Sequence, residues 1–222
     1  MKKAAISFIM IIYGCCAWAQ QTVTYSPFYY QRASLFEILP TSSEDIIFLG
    51  NSITNGCEWS ELFENPHVKN RGISGDRAKG VYDRLDAVIK GKPAKIFLMI
   101  GINDLSKSTK CDTTIYWIEQ IIDKVKQETP RTELFLQNIL PINETLKKVN
   151  FRKEFVESNI IVEANEKLKE AAEKYQITYI DLYSRFKDSD NRLDIQYSND
   201  GLHLTANGYV WWKEIILPYI NK

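Results

Sequence analysis

Apolar residues along the chain fall into short solid runs, separated by stretches where they recur at helical spacing. Ile46 to Leu49 is a run of four large apolar residues, too short for a helix and without its period, so it reads as a buried strand. Gly50 and Asn51 break that strand, because both accept turn conformations that β-branched residues resist, and Ser52 then falls on a bend at its C-terminal end. Val68 to Ile73, Ala94 to Ile100, Glu133 to Leu140 and Ile177 to Leu182 read as further strands. The second of these is almost wholly apolar from Ile96, which predicts a central strand covered on both faces.

Between the strands, Ala78 to Ile89 places Val81, Leu85, Val88 and Ile89 on one helical face, and Thr113 to Gln127 does the same with Ile115, Ile118, Ile121, Ile122 and Val125. Lys90-Gly91-Lys92-Pro93 closes the first with Gly and Pro in helix-ending order, and Pro130 follows the second. Trp59 to Glu64 reads as a short helix stopped by Pro66, Phe151 to Tyr175 as a long charged helix or a broken pair, and Asn207 to Tyr219 as a closing amphipathic helix. Residues 25 to 40, rich in Tyr and Phe, read as an N-terminal arm with a short helix from Ser34 to Ile38. Strand and helix alternate about five times, the pattern of a parallel sheet with helices on both sides. Right-handed crossovers bring every C-terminal strand end to one edge, where open α/β sheets bind ligands.

A chain of 222 residues suits one ordinary domain, and no repeat, low-complexity tract or linker divides it. The 28 basic and 28 acidic residues cancel, so no overall field draws the protein to nucleic acid or an anionic membrane. Residues 1–19 stand apart: Lys2 and Lys3 precede an apolar stretch too short to span a bilayer, and Ala17-Trp18-Ala19 is a small-x-small cleavage pattern. They read as a signal peptide for export to the periplasm or beyond, leaving a single domain over 20–222, with 20–44 as an arm packed on it and no stable membrane insertion. The rival reading takes Ile12-Tyr13-Gly14-Cys15 as a lipobox with Cys15 lipidated, for which Tyr13 is an awkward residue. After cleavage only Cys57 and Cys111 remain, either as free thiols or as a disulfide that an exported compartment permits.

Four polar clusters fall at the expected strand ends. Gly50-Asn51-Ser52 offers a hydroxyl on a bend, although such a serine is commonly a turn or helix cap. Asn70-Arg71-Gly72-Ile73-Ser74-Gly75-Asp76 offers a Gly72 N–H toward a substrate oxygen, or is a plain turn. Gly101-Ile102-Asn103-Asp104 supplies in Asn103 an uncharged amide donor suited to an oxyanion, with Asp104 bracing the loop or capping the next element. Asp200-Gly201-Leu202-His203 pairs an acid with a histidine three residues on, so one turn lets Asp200 set the ring's tautomer. The chain's other histidine, His67, comes after Pro66 in a surface turn. Two histidines and two separated cysteines give no zinc spacing, and there is neither a phosphate loop, a dinucleotide fingerprint nor an α/β-hydrolase elbow around Ser52.

Together the four clusters resemble the SGNH hydrolases, the GDSL family of esterases and lipases. Ser52, Gly72, Asn103 and His203 match the four residues of that name and Asp200 its acid, over residues 46 to 210; Asn51 departs from the family's Gly-Asp-Ser. The branch most similar around Ser52 and Gly72 contains platelet-activating-factor acetylhydrolase subunits and exported bacterial carbohydrate acetylesterases. The resemblance implies a three-layer, flavodoxin-like α/β/α sandwich. It implies cofactor-free ester hydrolysis by a Ser52–His203–Asp200 triad, with an oxyanion hole from Ser52, Gly72 and Asn103. The expected substrate is a small acyl ester, acetyl on carbohydrate. The alternatives are a lipid or lysophospholipid ester, and a non-catalytic glycan-binding module on the same fold.

Overall fold

The five expected strands pair in parallel as one sheet in the order β2-β1-β3-β4-β5. The strands are β1 (Ile46–Gly50), β2 (Val68–Gly72), β3 (Lys95–Met99), β4 (Glu133–Gln137) and β5 (Thr178–Ile180). The computed structural model describes residues 24–106, 110–146 and 156–221. The expected signal peptide, the lipobox and the start of the long charged segment lie outside the described residues.

In chain order the helices are α1 (Pro27–Ile38), α2 (Ser52–Asn55), α3 (Trp59–Leu62), α4 (Ala78–Asp83), α5 (Leu85–Ile89), α6 (Ile102–Leu105) and α7 (Cys111–Glu128). They continue with α8 (Ser158–Tyr175), α9 (Tyr183–Phe186) and α10 (Ala206–Ile220). Successive strand residues point to opposite faces, and the two faces differ in kind. Ile47, Leu49, Ile96, Leu98, Leu134 and Leu136 pack under α4, α5, α7 and α8 in an aliphatic core. Ile46, Phe48, Phe97, Met99 and Phe135 pack against Trp59, Phe186, Trp212 and Ile216. The result is a three-layer α/β/α sandwich.

The second face is largely aromatic. Phe48, Phe97 and Phe135 stack across three neighbouring strands at 5.1 and 4.5 Å, and Trp59 lies flat on Phe48 at 3.9 Å. Trp212 meets Trp59 edge-on at 4.9 Å, the geometry the ring quadrupole favours.

Three elements differ from the sequence pattern. The helix expected over 78–89 breaks at Arg84, whose guanidinium turns inward to polar partners at the strand ends. The arm helix starts at Pro27 rather than Ser34, because Ser26 accepts the Tyr29 N–H at 3.2 Å as N-cap and Pro27 suits the first turn. Strand β4 stops at Gln137: Asn138 N still bonds Ile180 O at 3.2 Å, but its side chain turns to Asp181, Leu182 and Tyr183. Cys57 and Cys111 are free thiols, not a disulfide, and burial pushes the Cys57 thiol up to about 12. No helix among the described residues is long and apolar enough to cross a membrane.

Candidate active site

β1 ends at the point where the strand order reverses: the chain steps outward to β2, then returns past β1 to β3. Side chains from the loops after β1, β2 and β3 therefore meet at one edge. The first of these loops is α2, a helix of a single turn, too short to stand by its own hydrogen bonds. Asn51 caps it, accepting the Ile53 N–H at 3.0 Å.

The carbonyls of α2 are all served from outside or by the next turn. Ser52 O accepts from Gly56 N at 3.0 Å and Ile53 O from the Tyr209 hydroxyl at 2.9 Å. Thr54 O accepts from Trp59 Nε1 at 2.8 Å and, like Asn55 O, from Asn70 Nδ2 at 3.1 Å. Asn70 also reaches Cys57 O, at 2.8 Å. The turn that carries Ser52 is thus held by β2, α3 and α10 together.

Ser52 Oγ lies 3.0 Å from His203 Nε2, 151 residues away in sequence. His203 Nδ1 lies 2.7 Å from Asp200 Oδ2. The other Asp200 oxygen accepts the backbone N–H groups of Leu202 and His203 at 2.8 and 2.7 Å, so the carboxylate winds its own loop into the turn that presents the ring. Partial burial would raise the Asp200 carboxyl, but the His203 ring and these backbone donors outweigh it and hold the acid below the usual range. Thr205 N closes the loop onto Tyr197 O at 2.8 Å, and α10 begins there. His67 sits at the opposite edge, its carbonyl bonded to Ile46 N at the start of β1, and takes no part here.

Gly72 does not offer the free donor expected of it. Its N–H is already given to Asn70 Oδ1 at 2.8 Å, and a Cβ there would stand 2.3 Å from Asn55 N and 2.8 Å from Asn51 O. It is glycine because α2 lies directly on it. The exposed donor lies three residues on: Asp76 N bonds Ile73 O at 3.1 Å around Gly75 at φ +78°, the pattern of a type II turn, and Gly75 N–H has no acceptor within that turn. A glycine required at positive φ is a sequence signal for this position, but the twin glycines of Gly72-Ile73-Ser74-Gly75 hide which one is exposed.

Asn103 Nδ2 donates to Asp76 O at 2.9 Å, which ties the third loop to the second and leaves the other amide hydrogen for the site. Asp104 is buried and takes the Ala78 N–H at 3.1 Å, capping α4 rather than its own helix. Burial pushes its carboxyl up to about 6, against the pull of that N–H. Asp76 is also raised by burial, in spite of Arg84, whose Nε bonds it at 2.9 Å. The Arg84 fork reaches Gly50 O at 3.1 Å and Arg71 O at 2.9 Å, joining the ends of β1 and β2. Among the described residues no group of three or more His, Cys, Asp or Glu could hold a metal ion.

Residues 48–211 match the GDSL-like Lipase/Acylhydrolase family. The alpha2 subunit of platelet-activating factor acetylhydrolase IB from Rattus norvegicus is 26% identical over 172 residues, covering 74% of this chain and 71% of the relative. N-acylneuraminate cytidylyltransferase of Escherichia coli is 25% identical over 76% of this chain, which spans only 38% of that protein's length. A solved structure from Streptococcus pneumoniae, provisionally described as a platelet activating factor, superposes with a TM-score of 0.77 and 30% identity, over 87% of this chain and 91% of that one. The chain belongs to the GDSL-like lipase/acylhydrolase family. It is a carboxylic ester hydrolase, which sets aside the non-catalytic glycan-binding module.

This packing carries two testable consequences. Gly72→Ala must push α2 off β2, an overpacking that costs about 1–3 kcal/mol, so thermal unfolding and ester hydrolysis should fall together; wild-type values of both would refute the contact. Asp104, raised in the folded state from 3.8 to about 6, favours folding in full below pH 3.8 and loses that contribution as pH rises through 6. Asp104→Asn keeps an acceptor for Ala78 without the charge. Its stability relative to wild type should rise by about 2–3 kcal/mol between pH 4 and 7.5 in urea titrations. A constant difference across that range would show that no charge penalty exists.

Proposed function

We propose that the protein hydrolyses small acyl esters, acetyl above all, by two-step acyl transfer through Ser52. The supporting observation is the chain of hydrogen bonds from Ser52 Oγ through His203 to Asp200. With Nδ1–H given to Asp200, Nε2 is the acceptor that faces Ser52 Oγ and takes its proton as the hydroxyl attacks the ester carbonyl. Asp200 then stabilises the imidazolium. His203 returns the proton to the departing alkoxide, and water activated by the same nitrogen releases the acyl group.

The oxyanion would be held by Ser52 N–H, which has no intrahelical acceptor in the first turn of α2, and by the second amide hydrogen of Asn103. For the third donor we substitute Gly75 for Gly72, because the Gly72 N–H is committed to Asn70. Asn51 in place of the family's aspartate leaves this machinery intact, as its side-chain oxygen serves as the cap of α2. Relatives named as acetylhydrolases support a short acyl group, and carbohydrate is the partner proposed for it.

Ser52→Ala should abolish nearly all hydrolysis of p-nitrophenyl acetate, and Asn103→Ala should lower turnover about a hundredfold to a thousandfold. In the same assay, activity should decline from acetate to decanoate; equal rates for Ser52→Ala and wild type would remove the serine from the reaction, and preference for decanoate would favour a lipid ester. We further propose that residues 1–19 direct export. Mass spectrometry of protein recovered outside the cytoplasm should then find Gln20 as the first residue, whereas a lipidated Cys15 would establish the lipoprotein.

A further inference from the structure

The N-terminal arm lies outside the family-matched residues 48–211, yet it packs against the loop after β2. Tyr29 donates to Gly80 O at 2.8 Å, Tyr25 bonds Asp83, and Phe36 packs on Ile73. Between the arm, that loop and α7 lies a cavity of about 600 Å³, within the ordinary range for small-molecule sites. Two of its wall residues touch the machinery already described. Ser74 Oγ donates to Asn55 Oδ1 at 3.1 Å at the end of α2, and Asp76 O holds the Asn103 amide.

The lining has a marked chemistry. Tyr25, Tyr29 and Trp117 supply ring faces and edges, and Thr113 and Ser74 supply hydroxyls. Among the described residues no Val, Leu, Ile or Met lines it, so a flexible acyl chain would find little to pack on. Lys79 is spent on Asp83 and on the Trp117 ring, 4.8 Å away. Arg77, on the same wall, makes no side-chain hydrogen bond or ion pair with any described residue. Flat rings beside hydroxyls, and a guanidinium that no hydrogen bond holds although its charge reaches Asp104 on the same lining, suit a ligand that shows C–H faces to one side and hydroxyl oxygens to the other.

We propose that this cavity is a sugar-ring subsite for the alcohol half of the ester, a reading that rests on the esterase function proposed above. The arm thereby becomes a specificity element: the acyl group sits at Ser52, while the ring it is attached to, or a neighbouring ring, lies between Tyr25 and Trp117 with a hydroxyl toward Arg77.

The test compares acetylated cellobiose with ethyl acetate, whose alcohol is too small to reach the arm. For Tyr25→Ala and for Arg77→Ala, the ratio of kcat/KM on the disaccharide ester to that on ethyl acetate should fall about tenfold, chiefly through KM. A ratio within twofold of wild type in both variants would overturn the subsite, and taking a ratio removes any shared loss from folding. Calorimetric titration of Ser52→Ala with acetylated cellobiose reads the cavity without chemistry: binding should be present, and lost when Tyr25→Ala is added. Binding unaffected by that addition would also overturn the subsite. If Ser52→Ala hydrolyses ethyl acetate as wild type does, the Ser52 mechanism fails, and the same titration with cellobiose, which carries no ester, still judges the cavity.

Discussion

A helix of one turn fixes the dihedrals of four residues for almost no internal hydrogen bonding, so α2 exists only because other parts of the chain complete it. Asn70 from β2, Trp59 from α3 and Tyr209 from α10 each give a side-chain N–H or O–H to its carbonyls. The position of the Ser52 hydroxyl is therefore a property of the assembled sandwich and not of the local sequence. The same packing explains why Gly72 cannot carry a side chain: α2 rests where its Cβ would be.

Arg84 performs the corresponding service for the neighbouring loops. Its guanidinium spans Asp76, the last carbonyl of β1 and the Arg71 carbonyl near the end of β2, so one side chain ties the strand that leads into Ser52 to the turn at Gly75. Burying that pair is expensive, as the upward push on Asp76 shows, and such pairs are better understood as fixing geometry than as adding stability. The arm joins the same cluster: the Phe36 ring lies 5.0 Å from the Arg71 guanidinium and 5.6 Å from that of Arg84. A segment outside the family-matched residues thus leans on the side chain that shapes the site.

Much of this was legible in the chain itself. Solid apolar runs announce strands buried on both faces, helical spacing announces the covering layers, and an acid three residues before a histidine is a local signal that needs no fold to read. The meeting of Ser52 with His203 was legible only as a pattern of clusters at successive strand ends, and as the family resemblance they carry. Arg84 shows the limit on secondary structure: by spacing it belongs in the middle of a helix, and only Asp76 and the carbonyls gathered at two strand ends draw it inward and break that helix.

The sequence by itself determined the strands, the order of helix and strand, and the residue types at the sheet edge, because these arise from periodicity and from the few conformations each residue allows. Tertiary structure alone decided which N–H groups are free. Gly72 and Gly75 look equivalent in the linear chain, yet one is spent on Asn70 and covered by α2 while the other stands exposed on its turn. Hydrogen bonding is exclusive: whether a donor is available depends on every acceptor within reach, and that set is defined only once strands distant in sequence lie side by side.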